Sequence, residues 1–224
     1  MAGGWLATPL RWAKVRGGGA GQTGFLGPGG HYPARRCVLA TVMKPGTLLI
    51  SQPFLGDPNF ERSVVLLCRH APAEGAFGLV LTRRTATQLG DVLELPPGPA
   101  RDLPLYEGGP VQLDTLHFVH RYASLPGASA LGEDTYWGGD FDLLISLVNS
   151  GLILPDDVRC FVGYSGWSAG QLEDEIQRGS WIRQPASAGK VFTLKSDAFW
   201  QGILREKGGR FRALSNYPLD PRLN

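Results

Sequence analysis

The segment Ser63–His70 is the feature that most constrains the fold, because it is a nearly continuous apolar run containing Val-Val-Leu-Leu-Cys. A strand with one solvated face would alternate apolar and polar residues, so this run predicts a strand that is buried on both faces. The chain must then cover both faces of a sheet. The run is also the longest clean apolar stretch, and it is far shorter than the ~18 residues that a membrane helix needs. We therefore expect a chain that does not span a membrane.

Other segments predict a mixture of strands and helices. Further strands are expected at Thr47–Gln52, Ala76–Thr82, Thr115–Arg121 and Val158–Gly163. Helices are expected from Thr87 to Leu93, after an Asp140 cap and ending before Gly151, from Ala169 to Arg178, and from Asp197 to Glu206 after a Ser196 cap. The early strands follow one another through short turns rather than through helices. This order favours an α+β fold with a mixed sheet over a doubly wound parallel fold.

The composition changes at residue 43. Glycine and proline make up 31% of residues 1–42 but 19% of the remainder, and only the first value reaches the range of roughly 25–30% that is typical of low complexity. Residues 1–42 are therefore predicted to be a low-complexity N-terminal extension of a domain at residues 43–224. A secretory signal and a transit peptide fit its pattern poorly, so we favour translation that begins at Met43.

The charge is also uneven along the chain. Residues 1–42 carry five basic and no acidic residues, whereas residues 43–224 carry 17 basic and 20 acidic residues, a net charge of −3. Non-specific binding to nucleic acid depends on basic surface. We therefore expect no direct contact between the domain and nucleic acid.

Cysteine usage predicts the compartment. The chain has three cysteines, Cys37, Cys68 and Cys160, and no C-x-x-C pair. Cys68 and Cys160 lie in apolar runs, which indicates buried, reduced thiols and a reducing compartment, the cytoplasm. The cysteines do not form a zinc pattern, so no metal is expected.

Gly166-Trp167-Ser168-Ala169-Gly170 matches the G-x-S-x-G nucleophile elbow of hydrolases. In that family the histidine follows the serine, but all four histidines precede Ser168. Ser168 and Gln171 also form the S-x-x-Q pattern of a helix capping box. We prefer the cap, so we expect no enzymatic activity, and we keep a serine hydrolase as the alternative.

Two further patterns could bind ligands. His117 and His120 are three positions apart on a predicted strand, so they face opposite sides and should not share a metal ion. The glycine-rich segments match neither G-x-G-x-x-G nor a phosphate-binding loop, so no cofactor is expected. These segments predict tight turns with exposed aromatic residues, which could form a groove for an unidentified protein or small molecule. The candidate groove residues are Phe54, Asp57, Pro58, Asn59, Phe60, Gly108, Gly109, Pro110, Tyr164, Ser165 and Trp167.

Several ordered motifs resemble the AlgH/YqgE family of bacterial proteins. They are Gly46–Phe60, Arg62–Leu67, Gly75–Leu81, Gly108–Val111 and Gly163–Trp167, followed by Gly-Gln-Leu-Glu at 170–173 and by Trp181. The resemblance covers roughly residues 46–205. Thr82-Arg83-Arg84 departs from the Asn-Arg-Pro that is common in the family.

The resemblance implies an α+β fold with a mixed, partly barrel-like β-sheet that is surrounded by helices in a single domain. It implies no catalytic or cofactor residues, because none are agreed for the family. One lineage is named for regulation of alginate synthesis, so a transcriptional regulator is implied by name. Because the sequence has no helix-turn-helix with a basic second helix, a regulatory or accessory binding module is the expected function. A direct DNA-binding regulator remains a second alternative.

Overall fold

The computed structural model describes residues 43–53, 55–192 and 198–217, and all of them belong to one compact unit, Val42–Asn224. The described residues form ten strands: β1 Thr47–Ser51, β2 Val64–Ala71, β3 Gly75–Val80, β4 Arg84–Gln88, β5 Pro104–Glu107, β6 Val111–His120, β7 Ser129–Gly132, β8 Thr135–Trp137, β9 Val158–Trp167 and β10 Trp181–Pro185. They also form six α-helices: α1 Leu89–Val92, α2 Phe141–Asn149, α3 Gln171–Gln177, α4 Ala188–Phe192, α5 Phe199–Lys207 and α6 Gly209–Leu214. The predicted extension at residues 1–42 lies outside the described residues.

The strands form one sheet in the order β10-β1-β2-β3-β9-β6-β8-β7, with β4 paired to β5 and β5 paired to β9. The β5–β9 pair is parallel and the other pairs are antiparallel, so the sheet is mixed. In the described part of the chain the sheet is not closed by hydrogen bonds, but Gly46, just before β1, packs against the carbonyl of Leu131 in β7. The predicted α+β fold with a partly barrel-like sheet is confirmed.

Both faces of the sheet are buried, as the apolar run in β2 predicts. Alternate residues of β1, β2 and β3 face opposite sides. One face packs on Phe199, Trp200 and Ile203 of α5. The other face carries two clusters, one that includes Leu172 of α3 and one that includes Leu144 and Val148 of α2. The helices therefore cover the sheet from both sides.

β9 is the central strand, because β6 pairs along one edge while β3 and β5 pair along the other. The chain between β5 and β6 must therefore cross β9. It does so at Gly109, where an added Cβ would lie 2.4 Å from the carbonyl of Tyr164. Gly163 allows the same close approach, since its Cβ would lie 2.6 Å from the carbonyl oxygen of Gly109.

Two local predictions are corrected by these contacts. The segment Gly163–Trp167 was expected to be a turn, but it continues β9, because β3 and β6 supply hydrogen-bond partners that the local sequence does not reveal. Gly163 has φ +67°, and the alternation of side chains between the two faces of the sheet shifts by one residue at this position. Thr87 does not cap α1, because it belongs to β4, and the Gln88 backbone N–H donates to the Asp91 carboxylate instead.

The predicted Ser168 cap is also corrected. Helix α3 begins after Gly170, which has φ +77° and makes no side-chain capping bond. One half of the predicted capping box is present, because the Ser168 backbone N–H donates to Gln171 Oε1 at 3.0 Å. The predicted Asp140 cap of α2 is confirmed by its bond to the Leu143 N–H at 3.0 Å. The predicted Ser196 cap lies outside the described residues.

Candidate functional site

The loop that contains Asp57, Pro58 and Asn59 lies on the surface and is held in place by Arg83. The guanidinium of Arg83 donates to the carbonyl of Pro58 at 2.8 Å and to the Glu107 carboxylate at 3.2 Å. The Asp57 carboxylate accepts the backbone N–H of Asn59 at 2.8 Å, which closes a tight turn. Pro58 and Asn59 remain exposed. The loop therefore presents a defined shape to solvent.

Phe60 anchors the far end of this loop in an aromatic cluster. Its ring lies 6.2 Å from the Trp167 ring and 5.5 Å from the Trp181 ring, measured between centroids. Glu175 of α3 accepts the indole N–H of Trp167 at 2.9 Å and that of Trp181 at 2.7 Å through one oxygen. Gln171 donates to the other carboxylate oxygen at 2.9 Å. The carboxylate thus satisfies two largely buried indole groups beneath the loop.

Gly108, Gly109 and Pro110 form the crossing over β9. The Gly108 carbonyl accepts the backbone N–H of Val80 at 2.9 Å and the hydroxyl of Ser165 at 3.1 Å. Ser165 is fully buried. These hydrogen bonds therefore connect β3 and β9 to the crossing between β5 and β6. The Ser165 hydroxyl is the second donor to the buried Gly108 carbonyl.

Tyr164 lies on the opposite face of the sheet from Trp167, in a second aromatic cluster with Phe77. The structure thus distributes the predicted groove residues over three places: the surface loop with its anchor Trp167, the crossing, and the face that carries Tyr164. In the crossing, Gly108 and Gly109 are buried and Pro110 is exposed. Phe54 lies outside the described residues. The sequence does not reveal Arg83 as a site residue, because its partners are distant along the chain. Glu175 was interpreted only as a negative charge in the early turns of a helix, so its role as a hydrogen-bond acceptor was missed.

Ser168 is exposed, and within the described residues no histidine accepts its hydroxyl. His70 lies on the same side of the sheet, but its Nε2 pairs with Glu173 Oε1 at 2.7 Å. Its Nδ1 is buried without a hydrogen-bond partner in the described part of the chain. The geometry therefore contains a histidine–carboxylate pair to which Ser168 is not joined.

His117 and His120 point to opposite faces, as predicted. His117 contacts Phe77 and Thr115, whereas His120 bonds to the carbonyl of Gly138 at 2.9 Å. Burial lowers the pKa of His117 to about 4, and burial also lowers the pKa of His120 against its two backbone hydrogen bonds. Within the described ranges, no group of three or more histidine, cysteine or acidic side chains could hold a metal ion.

Cys68 and Cys160 are free and buried, as predicted for reduced thiols. Burial raises the pKa of the Cys160 thiol to about 12 and raises that of Cys68 as well. Neither thiol is therefore a nucleophile at neutral pH. None of the helices in the described part of the chain is long and apolar enough to cross a membrane.

Together these features define an α+β protein with an open mixed sheet and an anchored surface loop. Comparison with known proteins gives the family. The profile of the AlgH-like family, DUF179, matches residues 48–212. A UPF0301 protein from Cytophaga hutchinsonii is 43% identical over 185 residues, which is 82% of this chain and 100% of the relative. A UPF0301 protein from Chlorobium limicola is 40% identical and covers 81% of this chain and 96% of its own length.

The solved structures agree with this assignment. The solution structure of AlgH from Pseudomonas aeruginosa matches with a TM-score of 0.62 and 29% identity, over 84% of this chain and 98% of that protein. A crystal structure of a Corynebacterium diphtheriae protein matches with a TM-score of 0.65 at 23% identity, over 78% and 93% of the two chains, and so shows the fold alone. This chain belongs to the AlgH-like family, as its motifs predicted.

Proposed function

We propose that this chain is a cytoplasmic, non-enzymatic binding module with a regulatory or accessory role, and that the loop at residues 57–60 contacts a protein partner. The observation that carries the proposal is the Arg83–Pro58 hydrogen bond at 2.8 Å, which fixes an exposed loop from beneath. A loop that is already ordered loses less conformational entropy on binding. Two exposed residues, Pro58 and Asn59, are then available to a partner.

Charge supports a protein partner over DNA. Residues 43–224 carry a net charge of −3. The first two turns of α3, next to the aromatic anchor, carry Glu173, Asp174 and Glu175. This acidic surface would repel phosphate groups, so its charge disfavours the DNA-binding alternative. The two buried free thiols support a reducing compartment.

The hydrolase alternative has less support than binding. A serine nucleophile needs a base within hydrogen-bond reach, and a second group that orients the base. In the described residues, Ser168 has no such base. The histidine–carboxylate pair on its side of the sheet, His70 with Glu173, is largely buried, and the Nε2 of His70 is bonded to the carboxylate. We therefore place binding ahead of acyl transfer.

The test compares two loop variants of the full chain in affinity capture from the cells that produce it. Pro58→Ala/Asn59→Ala removes exposed side chains but keeps Arg83, Asp57 and Phe60. Pro96→Ala/Pro97→Ala is the matched control, since it alters exposed prolines in another loop. We expect both variants to keep the wild-type melting temperature.

A protein captured by the wild-type chain and by the control, but not by the first variant, is then purified and titrated. We expect the loop variant to weaken its binding at least about tenfold, as loss of contact residues does. Equal affinity of both variants for every captured protein would contradict the proposed contact loop.

A further inference from the structure

A group of aromatic rings lies on the face of the sheet opposite the contact loop. Phe77 is its centre: the Tyr164 ring stacks on it at 4.6 Å and 27°, and the Trp137 ring lies 5.0 Å away at 33°. His117 meets Phe77 edge-on at 5.0 Å and 70°. Phe77 is 8% exposed, whereas the other three are only partly buried. The partly buried rings of Tyr164 and Trp137 thus both pack on Phe77, and we call these three rings together with His117 the aromatic platform.

The polar ends of the platform have no protein partners in the described part of the chain. Trp167 and Trp181 donate their indole N–H groups to Glu175, and Trp200 donates to the carbonyl of Ser51 at 2.8 Å. Within the described ranges, the indole of Trp137 and the hydroxyl of Tyr164 make no such bond and are not enclosed. Two hydrogen-bond donors therefore border the platform and remain available to a ligand.

A cation lies at the margin of the same platform. Arg69 of β2 is paired in register with Phe77 of β3 and is exposed. Residues directly opposite in paired strands project to the same face, so Arg69 lies on the face of the sheet that carries the rings. In the described residues, no carboxylate lies within ion-pair distance of it. Strand β3 separates Arg69 of β2 from Tyr164 of β9, and Phe77 of β3 pairs with Arg69 on one side and with Gly166, two residues beyond Tyr164, on the other.

The geometry points to a binding site for a planar heteroaromatic ring that carries an anionic group, with the ring on Tyr164 and Trp137 and the anion at Arg69. A mononucleotide has this chemistry. Aromatic side chains stack on every base because each base has a π face, and arginine binds phosphate oxygens through paired N–H groups. A single arginine on a domain with a net charge of −3 favours a small ligand over a nucleic-acid chain.

His117 supports this assignment. Its pKa is lowered to about 4 by burial, so the imidazole is neutral at pH 7 and adds no second cation. Its Nε2 lies 3.1 Å from Thr115 Oγ1, which holds the imidazole at the edge of the platform. Leu113, which is 59% exposed, packs over Gly163 next to Tyr164 and extends the apolar border.

The experiment is calorimetric titration of the full chain with adenosine 5′-monophosphate, with adenosine and inorganic phosphate as separate arms. Arg69→Gln removes the cation, and Tyr164→Leu removes the ring. Arg183→Gln is the matched control, because Arg183 is an exposed strand arginine paired opposite Leu49, whose cluster lies on the other face. Melting temperatures establish that each variant is folded.

We expect one saturable site for the nucleotide and weaker binding of both fragments. Arg69→Gln should weaken nucleotide binding about tenfold, the scale of a charged hydrogen bond, and leave adenosine binding unchanged. Tyr164→Leu should weaken both ligands, and Arg183→Gln should change neither.

Three outcomes would overturn the assignment. The first is the absence of saturable nucleotide binding. The second is that wild type, Arg69→Gln and Tyr164→Leu bind the nucleotide with equal affinity, or that Arg183→Gln weakens nucleotide binding as much as Arg69→Gln does. The third is inorganic phosphate that binds as tightly as the nucleotide, because the rings would then contribute nothing.

Discussion

The single side chain of Glu175 satisfies hydrogen-bond donors on several neighbouring residues. Its carboxylate accepts hydrogen bonds from Trp167 and Trp181, whose side chains are almost fully buried, and a third from Gln171. A buried N–H group without an acceptor costs about 1–3 kcal/mol. The stability of the cluster beneath the contact loop therefore depends on this residue, whereas the neighbouring Ser168 is exposed and does not cap α3.

At the scale of single residues, we predict that Glu175→Ala destabilises the fold by about 2–4 kcal/mol, because it leaves both indole groups without an acceptor. Ser168→Ala should cost less than about 0.5 kcal/mol, since Ser168 bonds to Gln171 through its backbone N–H and carbonyl, which alanine keeps. Urea denaturation of both variants measures the difference. A Ser168→Ala cost of about 1 kcal/mol or more would restore the side-chain cap that the sequence suggested.

At the scale of elements, β9 organises the sheet through the chain that crosses it. The crossing brings Gly109 and Gly163 so close that neither position has room for a side chain. Both also have positive φ angles, which glycine adopts without a steric penalty. Backbone packing thereby explains the glycine-rich motifs. The residues beside them, rather than the glycines, are the ones that can take part in binding.

We predict that Gly163→Ala costs about 2–5 kcal/mol, the sum of a left-handed backbone and a collision with the Gly109 carbonyl. Gly179→Ala is the matched control, because Gly179 has φ +80° and nothing within 4 Å of its added Cβ. It should cost only about 1–2 kcal/mol. Similar losses in chemical denaturation would mean that the crossing adds nothing to the cost of the backbone conformation.

At the scale of the whole molecule, the two buried faces leave several ionisable groups within the fold. Burial lowers the pKa of both His117 and His120, and desolvation also lowers that of Arg159, which donates to the carbonyls of Leu81 and Phe192. A histidine that is kept neutral in the folded chain but not in the unfolded chain makes stability depend on pH.

For His117 the ordinary pKa of 6.5 falls to about 4 in the folded state. Its contribution to stability is therefore complete above pH 6.5 and is lost as the pH falls from 6.5 to about 4, because the unfolded chain binds the proton first. We predict that the wild type loses more stability between about pH 7 and pH 5 than His117→Gln does. Urea midpoints at both values measure this, and parallel losses in the two proteins would contradict it.

Local patterns were sufficient wherever the structure depends on neighbours in sequence. The Asp140 cap, the doubly buried β2 strand and the opposite orientation of His117 and His120 all follow from helix and strand periodicity. Local patterns did not predict the strand at Gly163–Trp167, because this part of β9 pairs with β3 and β6, which lie about ninety and fifty residues earlier in the chain. The strands β4, β7, β8 and β10 were also missed, because each has only three to five residues and is too short to show a clear hydrophobic period.

The sequence by itself determined the α+β class, the family and the segments that matter, because these depend on hydrophobic periodicity and on ordered motifs. Only the tertiary structure decided what those segments do. It placed Trp167 and Tyr164 on opposite faces, joined Arg83 to the carbonyl of Pro58, and set Arg69 beside Phe77. The reason is physical. The Arg83–Pro58 contact joins loops that are 25 residues apart, the positive φ of Gly163 changes the faces of the residues after it, and a register shift after Leu67 sets which residue of β2 lies opposite Phe77.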